Sequence, residues 1–132
     1  MIGRLLCLVV DCPDPGALAA FYEQLLGYRR VEDDSEWVTL ASGDDLVLAF
    51  QRVERYVPPA WPDPSRPQQV HVDVLVEDLD EAEPKVLALG ATLLEGSDKP
   101  IGFRVYADPV GHPFCLVTPQ SVSWFEKSGP AT

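Results

Sequence analysis

His71 and Asp73 stand two residues apart in the run Val70-His71-Val72-Asp73-Val74. On an extended strand that spacing puts both side chains on one face, within about 7 Å. A carboxylate at that range can orient an imidazole or raise its pKa, which is what a general base needs. The same two residues serve as well as a satisfied polar pair lining a solvated pocket. Cys7 and Cys115 sit in apolar runs. A thiol beside His71 could be an activated nucleophile, but nothing in the sequence supplies an oxyanion hole, and free cysteines commonly pack as small hydrophobes. Cys12 is expected at a turn, as a bystander. Trp37, Phe103 and Tyr106 fall on candidate strands, where an aromatic ring can stack on a planar ligand or fill a core.

The elements that must position these residues read as follows. Residues 5–10 form an apolar run closed by Asp11 and Pro13, a buried strand. Asp14-Pro15 then gives an N-cap followed by proline at the first helical position. Leu18, Phe21, Tyr22 and Leu25 follow at helical spacing, and Gly27 stops the helix. Strands are expected at 28–32, 37–41 and 46–53. Five prolines in 58–67 mark a long loop, whose Trp61 should pack onto something. The order then repeats: a strand at 70–76, a helix at 78–89 stopped by Gly90, and strands at 91–95, 103–107 and 114–118. Pro84 removes a donor inside the second helix and predicts a late start or a kink. The acidic run Glu32-Asp33-Asp34 and the pair Glu81 and Glu83 read as solvated surface.

One offset of 64 residues relates the halves: Cys7 with His71, Asp14 with Asp78, Asp44 with Asp108, and Phe50-Gln51 with Phe114-Cys115. Gly27 and Gly90 miss it by one. Strand alternation then sorts the faces. Leu6, Leu8, Val10, Phe50, Val70, Val72, Val74, Phe114 and Leu116 should pack under the helices. Cys7, Val9, Ala49, Gln51, His71, Asp73, Cys115 and Val117 should face away. Cys7, Gln51, His71, Asp73 and Cys115 could therefore converge on one concave surface.

The segments Asp14-Pro15-Gly16-Ala17-Leu18-Ala19-Ala20-Phe21-Tyr22 through Leu26-Gly27, His71-Val72-Asp73, Leu87-Ala88-Leu89-Gly90-Ala91 and Asp108-Pro109-Val110-Gly111-His112-Pro113-Phe114 resemble the vicinal oxygen chelate superfamily, the glyoxalase and bleomycin-resistance fold. The resemblance runs to about residue 118 and comes nearest to its glyoxalase-like domain proteins. It implies an α+β fold of two tandem βαβββ modules, pairing into a curved mixed sheet around a central cup. The modules would span 1–57 and 68–119, joined by the loop 58–67 within one domain of 1–121, with a tail at 122–132.

In the metal-dependent members, ligands come from the first and last strands of each module. Those places here are Cys7, Gln51 (or Ala49), His71 and Cys115. His71 matches the usual ligand type and Gln51 is permissible. Cys115 replaces the terminal Glu of the glyoxalase and dioxygenase members, and His112 stands where Asn is usual. Two thiolates and an imidazole, completed by Gln51 or water, make a zinc set; buried hydrophobic cysteines and no metal is the alternative. The resemblance implies a small-molecule-binding glyoxalase-like protein, either a lyase or isomerase acting in the cup or a non-catalytic protein that sequesters an antibiotic or metabolite. The catalytic candidates are His71 and Asp73, and the ligand-binding candidates Trp37, Gln51, Phe103 and Tyr106. A homodimer is expected on the same ground.

Composition narrows the partners. The chain has 132 residues, 21 acidic against 10 basic, a net charge of −11. That field repels phosphate backbones and anionic membranes, so neither nucleic acid nor a membrane is expected as a partner. Three cysteines make no disulfide framework, no signal peptide is legible, and no apolar stretch approaches the length of a membrane span, so a cytoplasmic protein is expected.

Overall fold

In the computed structural model, residues 1–96, 98, 101–122 and 124 are described. The chain divides into two units, Met1–Val57 and the part from Pro58 onward. The first unit runs β1 (Leu8–Cys12), α1 (Pro15–Leu26), β2 (Arg29–Asp33), β3 (Trp37–Ala41) and β4 (Leu48–Arg52). The second runs β5 (Val72–Leu75), α2 (Leu79–Ala88), β6 (Thr92–Glu95), β7 (Phe103–Ala107) and β8 (Pro113–Val117), then one 3-10 turn at Pro119–Ser121. Each unit is βαβββ with one mixed four-stranded sheet, ordered β1-β4-β3-β2 and β5-β8-β7-β6. The outer pairs β1–β4 and β5–β8 are parallel and the remaining pairs antiparallel. The expected α+β class and doubled βαβββ order are therefore present.

The two helices begin alike. Asp14 and Asp78 are extended N-caps whose Oδ1 atoms accept from the backbone N–H groups of Ala17 (3.2 Å) and Glu81 (3.1 Å). Each satisfies a donor that the first helical turn would otherwise leave unpaired. Pro15 occupies the first turn of α1, where its missing N–H costs nothing. Gly27, at φ 71°, closes α1 in the left-handed conformation, its N–H donating to the Glu23 carbonyl. α2 runs through Pro84 from Leu79, so the expected late start is not found. Its first turn is secured by the Asp78 cap, upstream of the carbonyl that Pro84 leaves without its usual donor.

The packing beneath the helices differs. Under α1, Leu18, Phe21 and Tyr22 meet Val38, Leu40, Leu48 and Phe50, all buried, with the Tyr22 ring stacked on Phe50 at 5.4 Å. In the second unit, Leu79, Val86, Val74, Phe114 and Leu116 are buried together with Arg104 and Tyr106. Arg104 is 1% exposed. Its guanidinium donates to Asp80 (2.6 Å), Glu83 (3.2 Å) and the Leu79 carbonyl (3.4 Å), all on α2. The Tyr106 hydroxyl donates to the same Glu83 oxygen at 2.7 Å, and its ring stacks on Phe114 at 5.6 Å. Burial and the Glu83 carboxylate push the Tyr106 phenol up. Glu83 is thus tied into the sheet rather than solvated surface as expected. Glu32, Asp33, Asp34 and Glu81 are exposed as expected, with Glu32 accepting from the Thr39 hydroxyl and Asp33 from Arg30.

Several strand expectations need correction. β1 starts at Leu8 and extends through Asp11 to Cys12, and Leu5 and Leu6 are exposed. Cys12 is in the strand and fully buried, its Sγ 3.6 Å from the Gln51 carbonyl, because its even spacing from Leu8 and Val10 turns it under α1. β5 starts at Val72, so His71 precedes the strand and Val70 is exposed. The offset of 64 holds for the caps but not for the parallel ladders. Asp11 lies beside Gln51, whereas Asp73 lies beside Cys115, a separation of 62. By register His71 corresponds to Val9, not Cys7. A two-residue difference preserves which face each side chain takes, so the alternation survives it.

Candidate functional site

Register places a straight row across the second sheet: Asp73 on β5, Cys115 on β8, Val105 on β7 and Glu95 on β6. Leu75, Val117 and Phe103 form the next row. These side chains, with His71 and Pro113, line a hollow of about 740 Å³ on the face opposite α2. Trp61 from the proline-rich loop, Gln68, and Ser121, Val122 and Trp124 after β8 complete its walls. Trp61 thus packs where a loop tryptophan was expected to. Val122 and Trp124 are the described part of the tail.

Three potential donor atoms meet on the floor. His71 Nε2 is 3.3 Å from Asp73 Oδ1, and one ligand atom each from His71, Asp73 and Cys115 all lie within 4.8 Å of one another. Burial pushes the Cys115 thiol up to about 11, with the charge of Asp73, its hydrogen bond and Glu95 adding to the effect. At neutral pH this thiol is protonated, so it is not an activated nucleophile. A divalent cation bound there would reverse that balance by favouring the thiolate. An imidazole, a carboxylate and a thiol so close together fit zinc in donor type. Gln68 also lines the hollow, and its Oε1 atom is buried with no hydrogen-bond partner among the described residues.

The sequence-derived candidates are distributed over both units. His71, Asp73, Cys115 and Phe103 all line the hollow of the second. Tyr106 does not line it. An odd separation from Phe103 puts it on the opposite face of β7, under α2 and fully buried. Cys7 lies just before β1 and is half-buried; Gln51 is exposed on β4 and pairs in register with Trp37 and Asp11. Trp37 is held by its own sheet: its indole N–H donates to the Thr39 hydroxyl (2.7 Å), which donates to Glu32 (2.7 Å). Glu95, Gln68 and Trp61 were missed as lining residues. For Glu95 the signal was available, since it shares a row with Cys115 once β6 and β7 are paired.

The turn before β8 is built around Asp108, 3% exposed. Its carboxylate accepts from the backbone N–H groups of Val110 and His112 (3.0 Å each) and contacts His112 Nδ1 at 2.7 Å. Gly111 sits at φ 102° against Pro58, and a Cβ there would come within 2.8 Å of the Pro58 ring. His112 thus secures the turn that leads β8, and with it Cys115, into the sheet.

Comparison with known proteins places this architecture. The glyoxalase-like domain model matches residues 7–117. No curated protein sequence matches. Among solved structures, a glyoxalase/bleomycin resistance protein/dioxygenase family enzyme from Burkholderia phytofirmans PsJN is similar at TM-score 0.70 and 18% identity, covering 88% of this chain and 98% of that one. The fosfomycin resistance protein FosX of Listeria monocytogenes, solved with Mn(II) and a dihydroxypropylphosphonic acid, is similar at 0.65 and 15%, covering 89% and 90%. The bleomycin-binding protein of Streptomyces verticillus, solved with copper(II)-bleomycin, is similar at 0.56 and 18%, covering 89% and 98%. At these identities the structures share the fold. With the family model spanning both units, the chain belongs to the glyoxalase-like domain family of the vicinal oxygen chelate superfamily.

Proposed function

We propose that this protein binds a small organic molecule in the hollow of its second unit. The observation that carries this reading is the hollow itself. Its volume is that of a ligand pocket, its walls are mainly apolar and aromatic, and a few polar groups are gathered at its floor. The bleomycin-binding neighbour, solved with its small-molecule ligand, supports this reading. Val105 lies mid-row in the hollow, so Val105→Trp should fill the space. A neutral solvatochromic dye such as Nile red should brighten on the native chain and not on the variant. Equal brightening on both would contradict the reading.

A second reading, a lyase or isomerase, is favoured by the His71–Asp73–Cys115 group. His71 would move the proton, with Asp73 orienting the ring. Alternatively, the same three residues would hold a divalent metal such as zinc, with His71 then a ligand rather than the base, and the metal would supply a Lewis acid at the hollow's floor. The FosX neighbour solved with Mn(II) supports a metal in this fold. Metal analysis of protein purified without chelator should give near-stoichiometric metal, and added zinc should raise Tm. Less than about 0.1 equivalent with an unchanged Tm removes the metal from this account. Full turnover of a substrate by His71→Gln removes the base.

A further inference from the structure

We infer that the ligand of this hollow is cationic: an ammonium or amidinium carried on an apolar or aromatic body. The inference rests on the hollow being the binding site and names the class of molecule it takes. Two carboxylates, Asp73 and Glu95, stand at the ends of the row that crosses its floor. No lysine or arginine is among the described residues lining it, and its one basic group, His71, is already against Asp73.

The walls agree with the floor. Trp61, Phe103 and Trp124 give the hollow three aromatic side chains. Aromatic faces attract a cation through the ring quadrupole, most strongly for tryptophan. An anionic ligand would meet two carboxylates with no compensating lysine or arginine among the described lining residues. The charge of the whole chain, −11, adds a field that gathers cations and disfavours anions.

Three naphthalene probes of one shape and different charge test this: naphthylmethylamine, naphthylmethanol and naphthylacetate, titrated calorimetrically into the metal-free full chain at pH 7 and low salt. The amine should bind about tenfold tighter than the alcohol, with the acetate weakest. Asp73→Asn with Glu95→Gln should bring the ratio of amine to alcohol affinity from about tenfold to about one. Val105→Trp should abolish binding of all three. Binding by all three alike, tighter binding of the acetate, or an undiminished preference in the double variant overturns the charge assignment alone. No binding by any probe overturns it together with the hollow as a binding site.

Discussion

The two units share a chain order and differ in what they do with polar groups. Beneath α1 the first unit packs Tyr22, Leu40 and Phe50; beneath α2 the second buries Arg104 against Asp80, Glu83 and Tyr106. On the opposite faces the contrast continues. The row Asp11–Gln51–Trp37 carries a tryptophan whose indole is bound to Thr39, and through it to Glu32. The corresponding row Asp73–Cys115–Val105 carries a valine, and the hollow lies there. Duplication supplies a frame. One smaller side chain in the middle of a sheet, with a loop and a tail to wall it, coincides with the hollow.

The contrast predicts unequal responses to matched substitutions. The largest should be Arg104→Ala, which leaves the Glu83 carboxylate without its cation and opens a void. A loss of about 3 kcal/mol is expected, at the low end for a broken buried pair because Asp80 stays in water. Arg30 also ties its helix to a strand, through Glu23 and the Gly16 carbonyl, but it is a quarter exposed, so Arg30→Ala should cost about 1 kcal/mol or less. Urea denaturation measures both; equal losses would dissolve the distinction between the two cores.

Next comes the aspartate pair that the repeat aligned. Asp108 is buried and accepts from Val110 and His112, while Asp44 is exposed in a turn. Asp108→Ala should cost about 1.5–3 kcal/mol, and Asp44→Ala should stay within about 0.5 kcal/mol of the native chain. The helix caps should behave alike, Asp14→Ala and Asp78→Ala each costing about 1 kcal/mol. A marked inequality between the caps would show that the shared part of the frame is narrower than its geometry implies.

The smallest effect at neutral pH belongs to Cys115. Its folded pKa is raised to about 11 from an ordinary 9.0. Below pH 9 the thiol is protonated in both folded and unfolded chains, and its contribution is constant. Between 9 and 11 the unfolded chain releases the proton first, so stability falls as pH rises. Cys115→Ala should flatten that part of the stability–pH profile, and half-buried Cys7 should be alkylated well before Cys115 at pH 8.

Much of the frame was legible because it depends on local chemistry. Asp14, Asp78 and Gly27 announce helix ends through caps that need only neighbouring residues. Strand alternation placed Gln51, His71 and Cys115 on the face away from the helices, and a ladder slip of two residues could not disturb that. The failures lie where pairing between strands decides. Tyr106 stands three positions from Phe103, an odd spacing, so the two cannot share a face of β7 as the grouping requires. Arg104 gave no sign of burial, because its partners are supplied by α2, more than twenty residues earlier. Glu95 joins the site only through the β6–β7–β8 register.

The central claim is that the second unit's hollow is where this protein meets its ligand. Amide chemical shifts of the isotope-labelled full chain, followed during titration with naphthylmethylamine, test it most directly. The account predicts saturable shifts at His71–Leu75, Glu95, Phe103–Val105 and Cys115–Val117. Shifts confined to residues 1–57, with those amides unmoved, would contradict it.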